Sequence, residues 1–170
     1  MSSTQSSVGV EQTISQARPH FSGFSHVSLP CRDIEQSKRF FIEVLGGELF
    51  HDNKTDPFAE VKVGGVIFGF SPQAAGWTGW SAEFPHYAFF VEPEDFMPMK
   101  DWLESHGVKT HEPWSRDGKR GLMYFRDPSG NLFEMYCKNG PKEVASFPRG
   151  PKQGGSYVID FGALNYEWKG

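Results

Sequence analysis

The chain has 170 residues, of which 38% are hydrophobic and 15% aromatic, and its formal net charge is −4. This length allows one domain with a sizeable core, and the aromatic share indicates a packed core or pocket rather than a disordered chain. The lack of a basic block argues against nucleic acid as a partner. No apolar run reaches the roughly 18 residues that span a bilayer, and two cysteines are too few for a disulfide framework. The sequence therefore predicts a soluble cytoplasmic globular protein with no role at a membrane.

Three regions follow one another along the chain. Residues 1–20 are rich in Ser, Thr and Gln and lack the apolar core of a secretory signal, which predicts a flexible N-terminal arm. The folded body is expected at 21–137, and 138–170 is a C-terminal extension that starts with a Pro- and Gly-rich stretch. The end of this extension carries four aromatic residues, Tyr157, Phe161, Tyr166 and Trp168. So many rings in a short segment predict that it docks on the body.

The body repeats one unit twice, and the first copy, module one, covers 21–72. It opens with Phe-x-His and a short apolar strand. Asp33 is then expected to cap a helix that runs to about Leu45 and ends at the glycines Gly46 and Gly47. Three strands follow the helix, at about 48–52, 58–63 and 66–71.

Module two covers 84–137 and follows the same plan. Phe-x-His and an apolar strand lead to a helix that begins at Pro93 or Glu94, ends at about Ser105 and is followed by Gly107. The apolar face of this helix is expected to contain Phe96, Met99, Trp102 and Leu103. Three strands are predicted at about 108–112, 121–126 and 131–137, and aligning the ends of the two modules places Gly69 at the position of Glu134. The fold class is therefore α+β, with two paired βαβββ modules.

Three polar residues stand out on the predicted strands. His26 and His86 occupy equivalent places in the first strands of the two modules, sixty residues apart. Glu134 lies in an apolar strand after an Asp-Pro-Ser-Gly turn, where a carboxylate is costly unless its charge is compensated. Two imidazoles and one carboxylate form a set that holds a divalent first-row metal and leaves positions open. We therefore predict His26, His86 and Glu134 as metal ligands.

The sequence resembles the vicinal oxygen chelate superfamily, which includes glyoxalase I, fosfomycin-resistance proteins, bleomycin-resistance proteins and extradiol dioxygenases. The resemblance covers residues 21–137 and is most specific in "HVSLPCRDIEQSKRFF" and "MYFRDPSGNLFE". It implies a cup-shaped mixed sheet around a metal site, and its ligand positions fall on the same three residues. It also implies a homodimer. Whether the modules pair within one chain or between chains stays open, and so does whether His26 belongs to the site of its own chain or of the partner.

The resemblance narrows the reaction type. Glyoxalase I enzymes use an additional ligand at the position of Gly69, which has no side chain to coordinate, so a glyoxalase-like lyase or isomerase is a disfavoured alternative. Extradiol dioxygenases and fosfomycin-resistance proteins have three ligands and a tyrosine in the pattern Tyr-x-x-Asp-Pro-x-Gly, which Tyr124 matches. We narrowly favour a dioxygenase that uses Fe(II), with Mn(II) and Zn(II) as alternatives, on an aromatic or enediol substrate. The phenol of Tyr124 would donate a hydrogen bond to the bound substrate.

The remaining site residues follow from the dioxygenase hypothesis. Five aromatic residues are expected to line the substrate pocket, namely Phe58, Trp77, Trp80, Phe84 and Trp114. The extradiol signature has an acid–base histidine upstream of its tyrosine that is missing here, and His111 is the candidate replacement. Arg116 or Arg120 would orient an acidic group of the substrate.

Two further alternatives remain. A fosfomycin-resistance reaction, in which a thiol or water opens a phosphonate epoxide, needs a cationic cradle. Arg116, Lys119 and Arg120 lie in the appropriate loop, but Trp114 and Gly118 replace the lysine and serine of that group. A metal-free protein that sequesters a drug, as bleomycin-resistance proteins do, is disfavoured because the three ligand residues are present.

Overall fold

The computed structural model describes residues 25–53, 58–72, 86–150 and 155–170. The predicted N-terminal arm and three of the predicted pocket residues, Trp77, Trp80 and Phe84, lie outside these ranges. In the described part of the chain, no helix is long and apolar enough to cross a membrane.

Module one forms a four-stranded sheet covered by one helix. Its elements are β1 (His26–Cys31), α1 (Ile34–Arg39) with a continuing π-helical turn (Phe40–Val44), β2 (Glu48–Asn53), β3 (Phe58–Val63) and β4 (Val66–Pro72). The strand order is β1-β4-β3-β2, with β1 parallel to β4. Asp33 caps α1 as predicted, because its Oδ1 accepts a hydrogen bond from the Gln36 backbone N–H at 3.0 Å. Gly46, at φ +68°, follows the π-helical turn in the left-handed conformation that glycine adopts readily.

Module two forms a three-stranded sheet. Its elements are β5 (Tyr87–Phe90), α2 (Phe96–Ser105), β6 (Gly121–Arg126) and β7 (Leu132–Cys137), in the order β5-β7-β6 with β5 parallel to β7. The strand predicted at 108–112 is wrong, since Thr110 makes only an isolated bridge to Phe125. The Tyr124 N–H donates its hydrogen bond to the ring of His111 and not to a backbone carbonyl of this segment. Pro113 has no N–H to donate to a neighbouring strand. Module two is therefore βαββ with an irregular edge.

The strand registers confirm that the modules are equivalent. Ser28 on β1 pairs with Gly69 on β4, and Ala88 on β5 pairs with Glu134 on β7. Gly69 and Glu134 thus occupy corresponding positions, as the sequence predicted. β1 and β5 each lie at an edge of their sheet, and each of the two histidines lies at the start of one of these strands, His86 just before it.

The two modules share one core, and the prediction of an α+β fold is confirmed. Phe41 of the π-helical turn packs against Phe70 of module one at 4.6 Å and Phe133 of module two at 5.7 Å between ring centroids. Phe96 and Leu103 of α2 are buried as expected. Trp102 was predicted to face inward but is 47% exposed, with its indole N–H donating to the Val44 carbonyl.

Candidate metal and substrate site

His86 and Glu134 form a buried pair. Nε2 of His86 lies 3.0 Å from Oε2 of Glu134, and their side chains are 16% and 6% exposed. The parallel pairing of β5 with β7 brings the two residues together, since Ala88, two residues after His86, is opposite Glu134. The imidazole of His86 thus gives the carboxylate a polar partner in this apolar strand.

Tyr124 lies beside this pair. It is directly opposite Glu134 in the antiparallel pairing of β6 with β7, which places the two side chains on one face of the sheet. Its ring is edge-on to the ring of His86 at 5.3 Å and is fully buried. His86, Tyr124 and Glu134, all predicted from the sequence, therefore come together in module two.

His26 does not join this group within the chain. It begins β1 in the other sheet, is exposed, and its Nδ1 lies 3.0 Å from the Ser25 hydroxyl. Among the residues described here, no three His, Cys, Asp or Glu side chains form a group that could hold a metal ion. One chain therefore assembles two of the three predicted ligands.

The donors in module two have the right chemistry for a divalent first-row metal. A neutral imidazole nitrogen and a carboxylate oxygen at 3.0 Å can converge on one ion, as Mn(II) and Zn(II) sites require. Gly69 has no side chain to act as a fourth donor, and a Cβ added there would lie 3.2 Å from the ring of Phe58. Phe58, a predicted pocket residue, thus fills the space next to Gly69.

His111 holds the backbone of β6. Its Nε2 accepts a hydrogen bond from the Tyr124 N–H at 2.8 Å, and its Nδ1 lies 2.7 Å from the Glu112 carbonyl oxygen. Burial lowers the pKa of His111, which keeps the ring neutral as these contacts require. Both ring nitrogens are occupied by the backbone, so the geometry favours a positioning role for His111 over the acid–base role predicted from the sequence.

Arg120 directly precedes β6 and contacts a residue of β7. Its Nε donates to Oδ2 of Asp117 at 2.7 Å, and its Nη1 lies 3.5 Å from the hydroxyl of Tyr136. Tyr136 is two residues after Glu134 on β7 and projects from the same face. Hydrogen bonds from the Lys119 backbone N–H and from Arg120 hold the pKa of Asp117 well below its usual range, so the carboxylate fixes this loop.

Arg116 and Trp114 are placed differently from the prediction of a pocket wall. The Arg116 guanidinium lies over the Trp114 ring at 5.4 Å from its centroid, and Trp114 itself is buried. Trp114 packs with Leu164 of the C-terminal extension rather than facing an open pocket.

The sequence did not identify one residue next to the site, Phe161. Its ring lies edge-on to Tyr124 at 5.3 Å between centroids. The aromatic density of the C-terminal extension was the available signal, but it does not indicate which ring lies where.

Several known proteins are similar to this chain. The chain is 26% identical over 137 residues to "Glutathione transferase FosA" of Serratia marcescens, which covers 80% of this chain and 95% of that protein. It is 24% identical to "Metallothiol transferase FosB" of Staphylococcus epidermidis over 66% of this chain and 79% of that protein. A solved structure of the fosfomycin resistance protein FosX from Listeria monocytogenes has the same fold, with a TM-score of 0.62, 20% identity, and coverage of 74% of this chain and 97% of that one.

These relatives overturn the favoured reaction type. They are transferases and fosfomycin-resistance proteins, so the prediction of a dioxygenase, and of an oxidoreductase, is wrong. The preference for Fe(II) and for an aromatic substrate rested on that prediction and is not supported.

The family model described as "Glyoxalase/Bleomycin resistance protein/Dioxygenase superfamily" matches residues 23–135. The match of this family model shows that the chain belongs to this superfamily, which is also called the vicinal oxygen chelate superfamily. The two modules and their shared register agree with this assignment.

Proposed function

We propose that this chain is a divalent-metal-dependent enzyme that opens the epoxide of a small phosphonate of the fosfomycin type by adding a thiol or water. The observation that carries the proposal is the buried His86–Glu134 pair with Tyr124 beside it. The similarity to a glutathione transferase over 95% of that protein's length supports the reaction class. The basic loop around Arg120 supports an anionic substrate.

His86 and Glu134 would hold the metal, with His26 of a second copy as the third ligand. Two features favour this arrangement over a site built from one chain. His26 lies apart from the pair, and β1 and β5 are both edge strands that a second copy can approach. Mn(II) is the favoured metal because a solved FosX structure with this fold contains Mn(II) and a sulfate ion. When bound, the metal would polarise the epoxide oxygen as a Lewis acid.

The chain's own residues would then orient the substrate. The Tyr124 phenol donates a hydrogen bond to a substrate oxygen, in a site whose burial strengthens that bond. The Arg120 guanidinium, held in place by Asp117, pairs with the phosphonate. As the C–O bond of the epoxide breaks and the new C–S or C–O bond forms, the proton of the thiol or water ends on the former epoxide oxygen.

The direct test is turnover of fosfomycin by the Mn(II)-loaded protein with glutathione, with another small thiol, or with water alone. Phosphorus NMR distinguishes the thiol adduct from the diol and from unreacted epoxide. We expect one product with the wild type and none with Glu134→Gln, which keeps the shape of the side chain but removes its charge. The absence of product under all three conditions would refute the proposal.

Mixed dimers test the contribution of His26. Chains carrying His26→Ala and chains carrying Glu134→Ala, each with a different purification tag, are co-expressed and the mixed dimer is isolated. If the site is shared, one of its two sites combines an intact His26 with an intact Glu134 and activity returns, whereas each parent dimer is inactive. If each site belongs to one chain, every site in the mixed dimer is damaged and no activity returns.

A further inference from the structure

Residues 155–170, which we call the C-terminal strap, cover the face of module two that carries the candidate site. Leu164 is 1% exposed and packs with Trp114, Leu122, Tyr124 and Leu132. Leu132, Glu134 and Tyr136 alternate on β7 and therefore share the covered face. The strap up to Leu164 thus lies on the site side of the sheet, whereas Trp168 at its end joins the main core.

The strap is fixed at both ends. At its start, the Tyr157 N–H donates to the Arg149 carbonyl at 2.9 Å and the Tyr157 hydroxyl donates to the Glu112 carbonyl at 3.1 Å. At its end, Trp168 is buried edge-on to Phe40 at 5.5 Å, and its indole N–H donates to a backbone carbonyl at 2.8 Å. These contacts make the strap part of the folded domain rather than a free tail.

The middle of the strap places Phe161 next to the candidate site. Asp160 caps the 3₁₀ turn Phe161–Leu164, with its Oδ1 accepting from two backbone N–H groups, and this cap fixes the start of the turn. The Phe161 ring contacts Tyr124 edge-on at 5.3 Å, and Tyr124 in turn contacts His86 at 5.3 Å. Tyr124 is fully buried and Phe161 is half-buried, so the Phe161 ring covers part of Tyr124.

The geometry points to the strap as a wall of the active site and to Phe161 as the residue that sets the size of the substituent accepted beside Tyr124. This inference rests on the proposed function. The Phe161 ring is in edge-on contact with Tyr124 and occupies the apolar space beside the phenol, so a small substituent of the substrate fits there and a planar ring does not. Removing the Phe161 ring is expected to relax this limit without touching the metal ligands.

The test compares binding of methylphosphonate and phenylphosphonate to the Mn(II)-loaded protein by calorimetry. The variants are Phe161→Ala, Phe161→Leu in case the alanine variant is poorly folded, and Val158→Ala as the control, since Val158 is on the same strap but 75% exposed. We expect Phe161→Ala to raise the affinity for phenylphosphonate relative to methylphosphonate by about tenfold, Phe161→Leu less, and Val158→Ala not at all. An unchanged ratio in both Phe161 variants would overturn the proposal.

Chemical modification of Tyr124 tests the position of Phe161 independently of the proposed reaction. Tetranitromethane nitrates accessible tyrosines, and mass spectrometry locates the product. We expect Tyr124 to be protected in the wild type and in Val158→Ala and to be nitrated in Phe161→Ala. If no phosphonate binds the wild type, the proposed function fails, and the nitration pattern still tests whether Phe161 covers Tyr124. Equal nitration of Tyr124 in the wild type and in Phe161→Ala would overturn that placement of Phe161.

Discussion

Replacing Leu164 with alanine tests whether the C-terminal strap is packed as part of the domain. Leu164 is almost fully buried, against Trp114 and three side chains of β6 and β7. Buried Leu→Ala substitutions cost about 2–5 kcal/mol, and the short 3₁₀ turn can close part of the gap, so we expect a loss of about 2–3 kcal/mol. For a chain of this length, that loss lowers Tm by roughly 5–10 °C.

Urea unfolding followed by tryptophan fluorescence measures this loss. Val158→Ala is the matched control on the same strap and is expected to change the free energy of unfolding by less than about 0.5 kcal/mol. Hydrogen exchange of the strap amides shows whether the strap opens separately from the sheet. A loss below about 0.5 kcal/mol for Leu164→Ala would refute the packing on which the wall at Phe161 depends.

Three other predictions concern the site and its support. Tyr124→Phe removes only the hydroxyl, so kcat for epoxide opening should fall by about a hundredfold while calorimetry finds Mn(II) affinity unchanged, and wild-type kcat would contradict the role of the phenol. Because burial lowers the pKa of His111 in the fold, the unfolded chain takes up a proton that the folded chain does not. This part of the stability is present above about pH 6.5 and is lost as pH falls, by at most about 1.4 kcal/mol per pH unit. Urea unfolding at several pH values should show that slope reduced in His111→Gln, and an equal slope would contradict the assignment. Lys38→Met removes an ammonium that lies 2.8 Å from carboxylates of Glu35 and Asp52. Since the Asp52 side chain is only 19% exposed, chemical denaturation should show a loss of about 1–2 kcal/mol, and no loss would show that the pair adds nothing.

The sequence predicted most of the regular elements because their signals are local. The cap at Asp33 and the glycine at Gly46 bound the helical segment of module one as expected, and Gly107, at φ +75°, follows the helix of module two. The strand predicted at 108–112 failed for a reason that no local pattern reveals. There the side chain of His111, rather than a strand backbone, accepts the N–H of Tyr124.

The candidate site was predictable where the repeat determines the register. The equivalence of Gly69 and Glu134 followed from aligning the two modules. The pattern Tyr-x-x-Asp-Pro-x-Gly identified Tyr124, and the structure places it opposite Glu134. Phe161 was not predictable as a neighbour of the site, because its contact with Tyr124 depends on the path of an irregular segment. No periodic pattern encodes that path.

The prediction of a dioxygenase failed because ligand residues and ring counts do not determine the reaction. A set of two histidines and one carboxylate serves several chemistries, so the choice rested on aromatic residues taken as walls for an aromatic substrate. In the structure, Trp114 is buried under Leu164, and Phe58 covers Gly69. These two rings fill space within the fold, which a count of aromatic residues cannot distinguish from lining a pocket.

The separation of His26 from the His86–Glu134 pair has a consequence for how the proposed enzyme would assemble. Under the proposed function, the two donors of one chain would give a weak, incomplete metal site, and His26 of a second copy would complete that site only in the dimer. Metal binding and association of the chains would then be linked, because whatever binds only the dimer also stabilises it. Under this proposal, the exposed His26 on the edge strand β1 is the residue through which association of the chains and metal binding depend on each other.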